Sequence, residues 1–531
     1  MILKNKRVRR LLIVFLVFLV SFGFFQVLLA GLPFHYGEDA EMLALALQTP
    51  WRRLLTLSLS PFSPHLYRFG AETYFTTRPF ETLIYKLSGT IHGFRAAPLY
   101  TVKCFLAALV GTALLLLLYQ ATQSYATSLF GWLFFITAPA LYASVRYVHD
   151  YEIVSQFFLI LTLYFFWIVA EKKCSSLKGL FLVLFCLLFG TLAFHTKETA
   201  KTLPLILAGF CLLRHRINFR CFCVLIFFSA SILLPFFVQS PESLKSLSLN
   251  PAHIYSFLVQ NAFGYESGMA PALFTPENIV PGSFLGTFGY FFGWAFLFII
   301  IAGALLRKKV VYQYPFRSLF FFALAWWGAA LAGYSLIDRL DDRFLTVSLF
   351  PGTVVVFLGL HYSLEKLRAT NGHLHALSLV FLIPLLLANS QRNLDHILFA
   401  RNYHGGWLVA EDKIFRTILQ DQEPDRIATE VRIHRYLLNE IPKEILLLVR
   451  PLEGWDRPVD FPSLEALKER FPSLYVVSQV SDPFKNQADW RLLAEVSTLT
   501  DSLYGRLIRK VKKKSARTLY LYKWEKPKLS E

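Results

Sequence analysis

Lys4 to Leu32 reads KNKRVRRLLIVFLVFLVSFGFFQVLLAGL, five cations followed by an unbroken apolar run. A helix that crosses a bilayer needs about 20 mostly apolar residues, and the run from Leu11 to Leu32 supplies them. It is too long for the core of a secretory signal and has no convincing small-residue cleavage site, so it is expected to stay as a membrane span. Similar runs recur at 101–120, 127–145, 153–170, 178–195, 200–213, 219–239, 284–306, 317–336, 344–362 and 375–391. The predicted fold is therefore a polytopic α-helical membrane protein with about eleven transmembrane helices.

Composition agrees with that reading. Of 531 residues, 55% are hydrophobic and only 17% are charged, and Phe alone occurs 52 times. A single water-soluble core does not grow large enough to hide so much apolar surface, and disorder or a coiled coil would need the opposite composition. The net charge of +18 does not point to nucleic acid, because most of the surplus lies in short clusters beside the apolar runs. There Lys and Arg set orientation. With Lys4 to Arg10 in the cytoplasm, alternate connections carry Lys172, Lys173 and Lys178, then Arg214, Arg216 and Arg220, then Arg307 to Lys309 with Arg317, then Lys366 and Arg368. Each meets the positive-inside rule, so the C-terminal region is expected on the far side. The six cysteines lie in or beside apolar segments and imply no disulfide framework, and Cys221-x-Cys223 is too closely spaced for a metal knuckle.

This frame gives two regions. Residues 1–391 form the transmembrane domain, with long outer loops at 33–100 and 240–283, and residues 392–531 form a small extracytoplasmic α/β domain. The tail shows β-rich runs at 444–450, 474–478 and 519–524, with helical patterns at 408–420, 429–440 and 463–471. Its basic end, Arg506 to Lys528, reads as a solvated or lipid-headgroup-facing edge. Within the first loop, Trp51 to Phe62 (WRRLLTLSLSPF) reads either as an interfacial helix or as a loop helix packed on the bundle.

Ionisable residues near bilayer depth are costly and therefore informative. They collect on the outer side, in five clusters: Gly37 to Glu41, Thr77 to Phe80, Arg146 to Glu152, His195 to Thr199, and Asp338 to Arg343. Carboxylates beside cations are the parts of a general base and an anion clamp, with Arg suited to phosphate through its planar fork.

The residues of these clusters also resemble a known family. Arg78-Pro79-Phe80-x-x-Leu83, then Tyr85-x-Leu87-x-Gly89, then the apolar run from Tyr100 is similar to a stretch of the GT-C glycosyltransferases. The nearest likeness is to the transmembrane, tetratricopeptide-repeat O-mannosyltransferases and their bacterial relatives. Pro139 leading to His149, Asp150 and Glu152 continues the pattern, as do Lys197-Glu198-Thr199-Ala200 with Pro204, and Asp342-Arg343-Phe344-Leu345 with Pro351-Gly352. The resemblance implies a polyprenyl-phosphate-linked sugar donor and inverting transfer, on the outer face, to a lipid, glycan or protein acceptor. It implies Asp39 or Glu38 as general base, with Asp39 favoured. Arg78, Lys197 and Arg343 are the implied ligands of the donor phosphate, and His149, Asp150, Glu152 and Glu198 line or brace the cavity. Some relatives use a divalent cation, but nothing fixes a metal site. Two departures stand out: the tetratricopeptide repeats are absent, so acceptor choice does not carry over, and Glu38-Asp39 replaces the commoner Asp-Asp or Asp-Glu. A bacterial inner membrane is the expected location, with the N-terminus cytoplasmic and membrane lipids as neighbours. The alternative function is a transporter or flippase of lipid-linked glycans, which calls for ionisable groups near the midplane and paired broken helices.

Overall fold

The computed structural model describes residues 6–33, 46–47, 49–59, 78–92, 95–147, 151–171, 176–214, 218–238, 284–306, 314–335, 346–421, 446–449, 473–478, 489–497 and 518–525. Helices occupy every apolar run expected to span. They are α1 (Lys6–Leu29), α4 (Ala96–Thr122), the pair α5 (Tyr125–Ile136) and α6 (Pro139–Arg146), α7 (Glu152–Glu171), α8 (Ser176–Phe194), α9 (Leu203–Arg214), α10 (Phe219–Val238), α11 (Phe284–Leu305), α12 (Tyr314–Ser335), α13 (Thr346–Thr370) and α14 (Gly372–Asp421). Two shorter helices, α2 (Trp51–Leu59) and α3 (Pro79–His92), lie between α1 and α4. Among the described residues six helices are long and apolar enough to cross a membrane, or seven if α5 and α6 form one bent span, and four further segments are apolar but shorter.

Local chemistry sets the breaks. α4 ends at Gln123, whose left-handed φ of 53° lets its N–H return to the Tyr119 carbonyl at 2.8 Å. The next residue, Ser124, caps α5 by accepting from the Thr127 N–H at 3.2 Å. α5 and α6 meet at 48°. Pro139, having no N–H to give, takes the first position of α6 and keeps the two helices from merging.

The surface divides as a bilayer would require. Leu11, Phe15 and Val27 of α1 and Val380 and Phe381 of α14 are largely exposed, while α4 and α13 are buried along much of their length. Aromatic rings fill the interior. Phe158 and Phe165 of α7 stack against Phe189 of α8 at 6.1 and 5.7 Å between centroids. Close approaches are made at glycines. A Cβ on Gly190 of α8 would stand 2.1 Å from the Phe228 ring of α10, and one on Gly303 of α11 would stand 2.6 Å from the Cα of Ser363.

The position expected as a domain boundary, 391/392, falls inside α14, which runs without a break for 50 residues, roughly 75 Å at 1.5 Å per residue. The expected helix at 408–420 is the far end of this same helix. Beyond it lies a four-stranded sheet in the order β1 (Leu446–Val449), β2 (Ser473–Ser478), β4 (Thr518–Glu525), β3 (Trp490–Ser497). β1 and β2 are parallel, and the remaining pairs are antiparallel. Three strands match the β-rich runs of the sequence, whereas β3 was not foreseen. The central strand β4 buries Leu519, Leu521 and Trp524, and the Trp524 indole donates to Asp489 at 2.7 Å. The helical patterns at 429–440 and 463–471 lie outside the described residues.

Candidate functional site

A set of hydrogen bonds gathers several helix ends at one end of the bundle. The Tyr100 hydroxyl at the start of α4 donates to the Pro33 carbonyl just past α1, at 3.2 Å. Lys103, also near the start of α4, donates to the Ser144 carbonyl at 2.7 Å and to the Tyr147 carbonyl, both at the end of α6. Ser155 at the start of α7 donates to the Ala193 carbonyl at the end of α8, at 3.4 Å. Arg401 of α14 donates from Nε and Nη2 to the Leu28 and Ala30 carbonyls at the end of α1, at 2.7 and 3.0 Å.

The start of α3 docks onto this end. Pro79 opens the helix, Glu81 sits in its first turn, and the Phe80 N–H donates to the His195 carbonyl at 3.1 Å. The Phe80 ring meets Phe158 of α7 edge-on at 5.5 Å, and Tyr85 packs against Tyr151 at the same centroid distance. The buried face of α3 comprises Glu81, Thr82, Tyr85, Lys86 and Gly89, at helical spacing. Its charged members are therefore turned inward. Glu81 pairs with Arg78 at 3.6 Å. Lys86 donates to the Ala46 and Leu47 carbonyls at 3.2 and 2.8 Å, beneath the start of α2, and its Nζ lies 5.2 Å from the Trp51 ring centroid. Burial lowers the Lys86 ammonium below the usual lysine value, because the charged form loses water that two carbonyls replace only in part.

After α8 the chain turns through His195 and Thr196 into a 3₁₀ turn, Glu198–Thr202, which leads into α9. Lys197 at the mouth of that turn reaches Glu152, the first residue of α7, at 3.9 Å, and Thr199 donates its hydroxyl to the other Glu152 oxygen at 2.7 Å. Described members of three of the five charged clusters thus meet here: 78–80, 146–147 with 151–152, and 195–199. The other two, with Glu38, Asp39 and Arg343, lie outside the described residues, as do His149 and Asp150, and for Glu198 only the backbone is described.

Glu152 has no exposed surface and meets the 195–202 turn through Lys197 and Thr199, as a bracing residue would. Lys197 is 3% exposed and faces a carboxylate, so any bound phosphate would compete with Glu152 for it. Of the phosphate candidates, Arg78 keeps the most accessible described position, with 13% of its side chain exposed.

Glu81, Lys86, Lys103 and Arg401 were not singled out by sequence. Lys103 had a usable signal, as the one charged residue within the apolar run 101–120. Beside it, Arg146 lies over the Tyr147 ring at 4.3 Å and over Tyr142 at 5.6 Å. Among the described residues no group of three or more His, Cys, Asp or Glu is placed to hold a metal ion. The two carboxylates described here are taken by cations, Glu81 by Arg78 and Glu152 by Lys197, so they do not fit a divalent cation.

Fold and site together define the class: a polytopic α-helical membrane protein that draws charged side chains inward at one end of its helices, with a small four-stranded sheet after α14. No protein-family model and no curated protein matches the chain by sequence. In three dimensions it is similar to ArnT from Cupriavidus metallidurans bound to undecaprenyl phosphate. That likeness has 11% identity and a TM-score of 0.46, and covers 96% of this chain and 97% of that one. The apo state of the same protein gives 10% identity and a TM-score of 0.46, with 98% of each chain covered.

Proposed function

We propose that this chain is an integral membrane glycosyltransferase of the GT-C class. It moves a hexosyl or pentosyl unit from a polyprenyl-phosphate-linked donor to a lipid, glycan or protein acceptor. The reaction takes place on the outer face of a membrane, assigned as a bacterial inner membrane, and the charge pattern of the loops puts the N-terminus in the cytoplasm. The observation that carries the reading is the hydrogen bond from the Phe80 N–H to the His195 carbonyl, which joins the segment that begins at Arg78 to the one that leads into the 195–202 turn. Two short motifs, far apart in sequence and alike in family resemblance, are thereby made neighbours.

The chemistry is a single displacement. The acceptor hydroxyl oxygen attacks the anomeric carbon from the face opposite the phosphate and forms the new C–O bond. The old bond breaks, and its electron pair leaves on the phosphate oxygen. The acceptor proton passes to a carboxylate, assigned to Asp39 with Glu38 as the alternative. A guanidinium offers the departing phosphate two parallel N–H donors and a charge that does not titrate, the role given to Arg78 and Arg343.

The test is transfer of radiolabelled sugar from a panel of polyprenyl-phosphate donors by purified protein in nanodiscs. Wild type should label an acceptor, and Asp39→Asn should lose about 10²–10⁴-fold, the usual weight of a general base. Full transfer by Asp39→Asn moves the base to Glu38. A wild type that neither transfers nor binds any such donor removes the donor site altogether. Donor binding followed by translocation without transfer would instead favour a flippase.

A further inference from the structure

Arg78 is held through its main chain. Its carbonyl accepts from the Thr82 N–H and from the Thr82 hydroxyl, both at 3.1 Å, which fixes its backbone to the first turn of α3. That turn is pinned by the Phe80 N–H on His195 and by the Phe80 ring on Phe158. The guanidinium stands 3.6 Å from Glu81, whose own side chain is 1% exposed.

A carboxylate so enclosed is not a general base for a bulky acceptor, since no acceptor hydroxyl reaches it. Nor is stability a sufficient reason for it to be there. Withdrawing a carboxylate from water is costly, and well-packed apolar residues commonly serve as well as a buried ion pair or better. The amide-rich start of α3 offsets part of that cost, because a helix N-terminus favours negative charge. Arg carries many rotamers, and a planar fork binds phosphate well only when its plane is set beforehand.

We propose that Glu81 is a positioning residue: it orients the Arg78 guanidinium for the phosphate of the donor and does not touch the donor itself. This rests on the function proposed above. It also makes an unusual sign prediction. By charge alone, removing a carboxylate beside an anion site should tighten phosphate binding. By orientation, removing it should weaken binding.

The experiment measures binding of a polyprenyl phosphate to the full chain in nanodiscs, with the matching polyprenol as uncharged control. The proteins are wild type, Glu81→Gln, Glu81→Asp, Arg78→Gln and the Arg78→Gln/Glu81→Gln double variant. Glu81→Gln is expected to weaken phosphate binding about tenfold, equivalent to roughly 1.4 kcal/mol, and to leave polyprenol binding unchanged. Glu81→Asp should recover part of that loss, and the double variant should bind no worse than Arg78→Gln alone. Unchanged or tighter phosphate binding in both Glu81 variants, or losses that simply multiply in the double variant, overturns the proposal while leaving the transferase reading intact. A wild type with no preference for phosphate over polyprenol sinks that reading and this inference together. Equal loss of phosphate and polyprenol binding in Glu81→Gln and Glu81→Asp marks Glu81 as a fold residue and also overturns it.

Discussion

Glu152 and Lys197 form an ion pair at 3.9 Å in which the carboxylate side chain is wholly buried and the lysine side chain is 4% exposed. The pair joins the first residue of α7 to the turn between α8 and α9, and Thr199 completes it with a hydrogen bond from the same turn. Breaking such a pair from one side strands a charge away from water. Lys197→Met is expected to cost about 3–5 kcal/mol, and Glu152→Gln a comparable amount. The double variant should cost clearly less than the two losses summed, because it leaves neither charge alone. Unfolding titrations in mixed micelles would measure all three, and additive losses would mean that the two side chains do not depend on each other.

Lys86 should give the fold a pH dependence of its own. Burial holds its ammonium below the ordinary lysine value, so between the folded and unfolded pKa values the unfolded chain binds more protons. Stability then rises with pH across that window. The contribution of Lys86 is complete above the unfolded value of about 10.4 and is lost as pH falls through the folded value. The difference in unfolding free energy between wild type and Lys86→Met should therefore grow from neutral pH toward about pH 10. A difference that shrinks over that range would show that the carbonyls of Ala46 and Leu47 hold the charged form well enough to offset its burial.

Much of the fold was legible because a bilayer leaves so few options: a backbone that crosses it must satisfy its own hydrogen bonds, and runs of about 20 apolar residues mark where that happens. The end of α14 was not legible, because the fall in apolarity after Asn389 reads as the end of a span. The helix continues on a narrower stripe, with Ile397, Ala400, Ala410 and Ile414 still buried, since a helix that leaves the membrane needs only one apolar face. β3 escaped notice because Trp490 to Ser497 lacks clean alternation and its pairing with β4 slips between Leu492 and Ala494. At the site, the meeting of 78–80, 146–147 with 151–152, and 195–199 was readable from the sidedness of charge. Lys86 and Arg401 were not, for a common reason: each bonds to backbone carbonyls, and a carbonyl leaves no mark in a sequence.

Arg401 ties α14 to α1 through two carbonyls that the end of a helix would otherwise leave to water. Arg401→Ala is expected to lose about 2 kcal/mol, in the range for hydrogen bonds from a charged donor. Arg401→Lys should recover only part of it, because an ammonium presents its donors from one atom and not from the two separate atoms, Nε and Nη2, that meet the Leu28 and Ala30 carbonyls. Hydrogen exchange should localise the effect to the end of α1 around Leu28 to Leu32. Protection there that is unchanged in Arg401→Ala would mean that α1 is held by its packing alone.

Gly190 and Gly328 offer a contrast within one class of helix. A methyl group at Gly190 would lie 2.1 Å from Phe228, whose own centroid is 5.2 Å from that of Phe194, so the ring has little room to retreat. At Gly328 in α12 a Cβ meets nothing within 4 Å. Gly190→Ala is therefore expected to destabilise by about 1–3 kcal/mol through overpacking between α8 and α10. Gly328→Ala should be neutral or stabilise by up to about 1 kcal/mol, the usual helix preference for Ala over Gly. Both variants keep the same charge and nearly the same hydrophobicity, so unfolding in mixed micelles isolates packing from membrane insertion. Equal stability of the two would mean that α8 and α10 separate freely at this point and that the Phe194–Phe228 contact does not hold them.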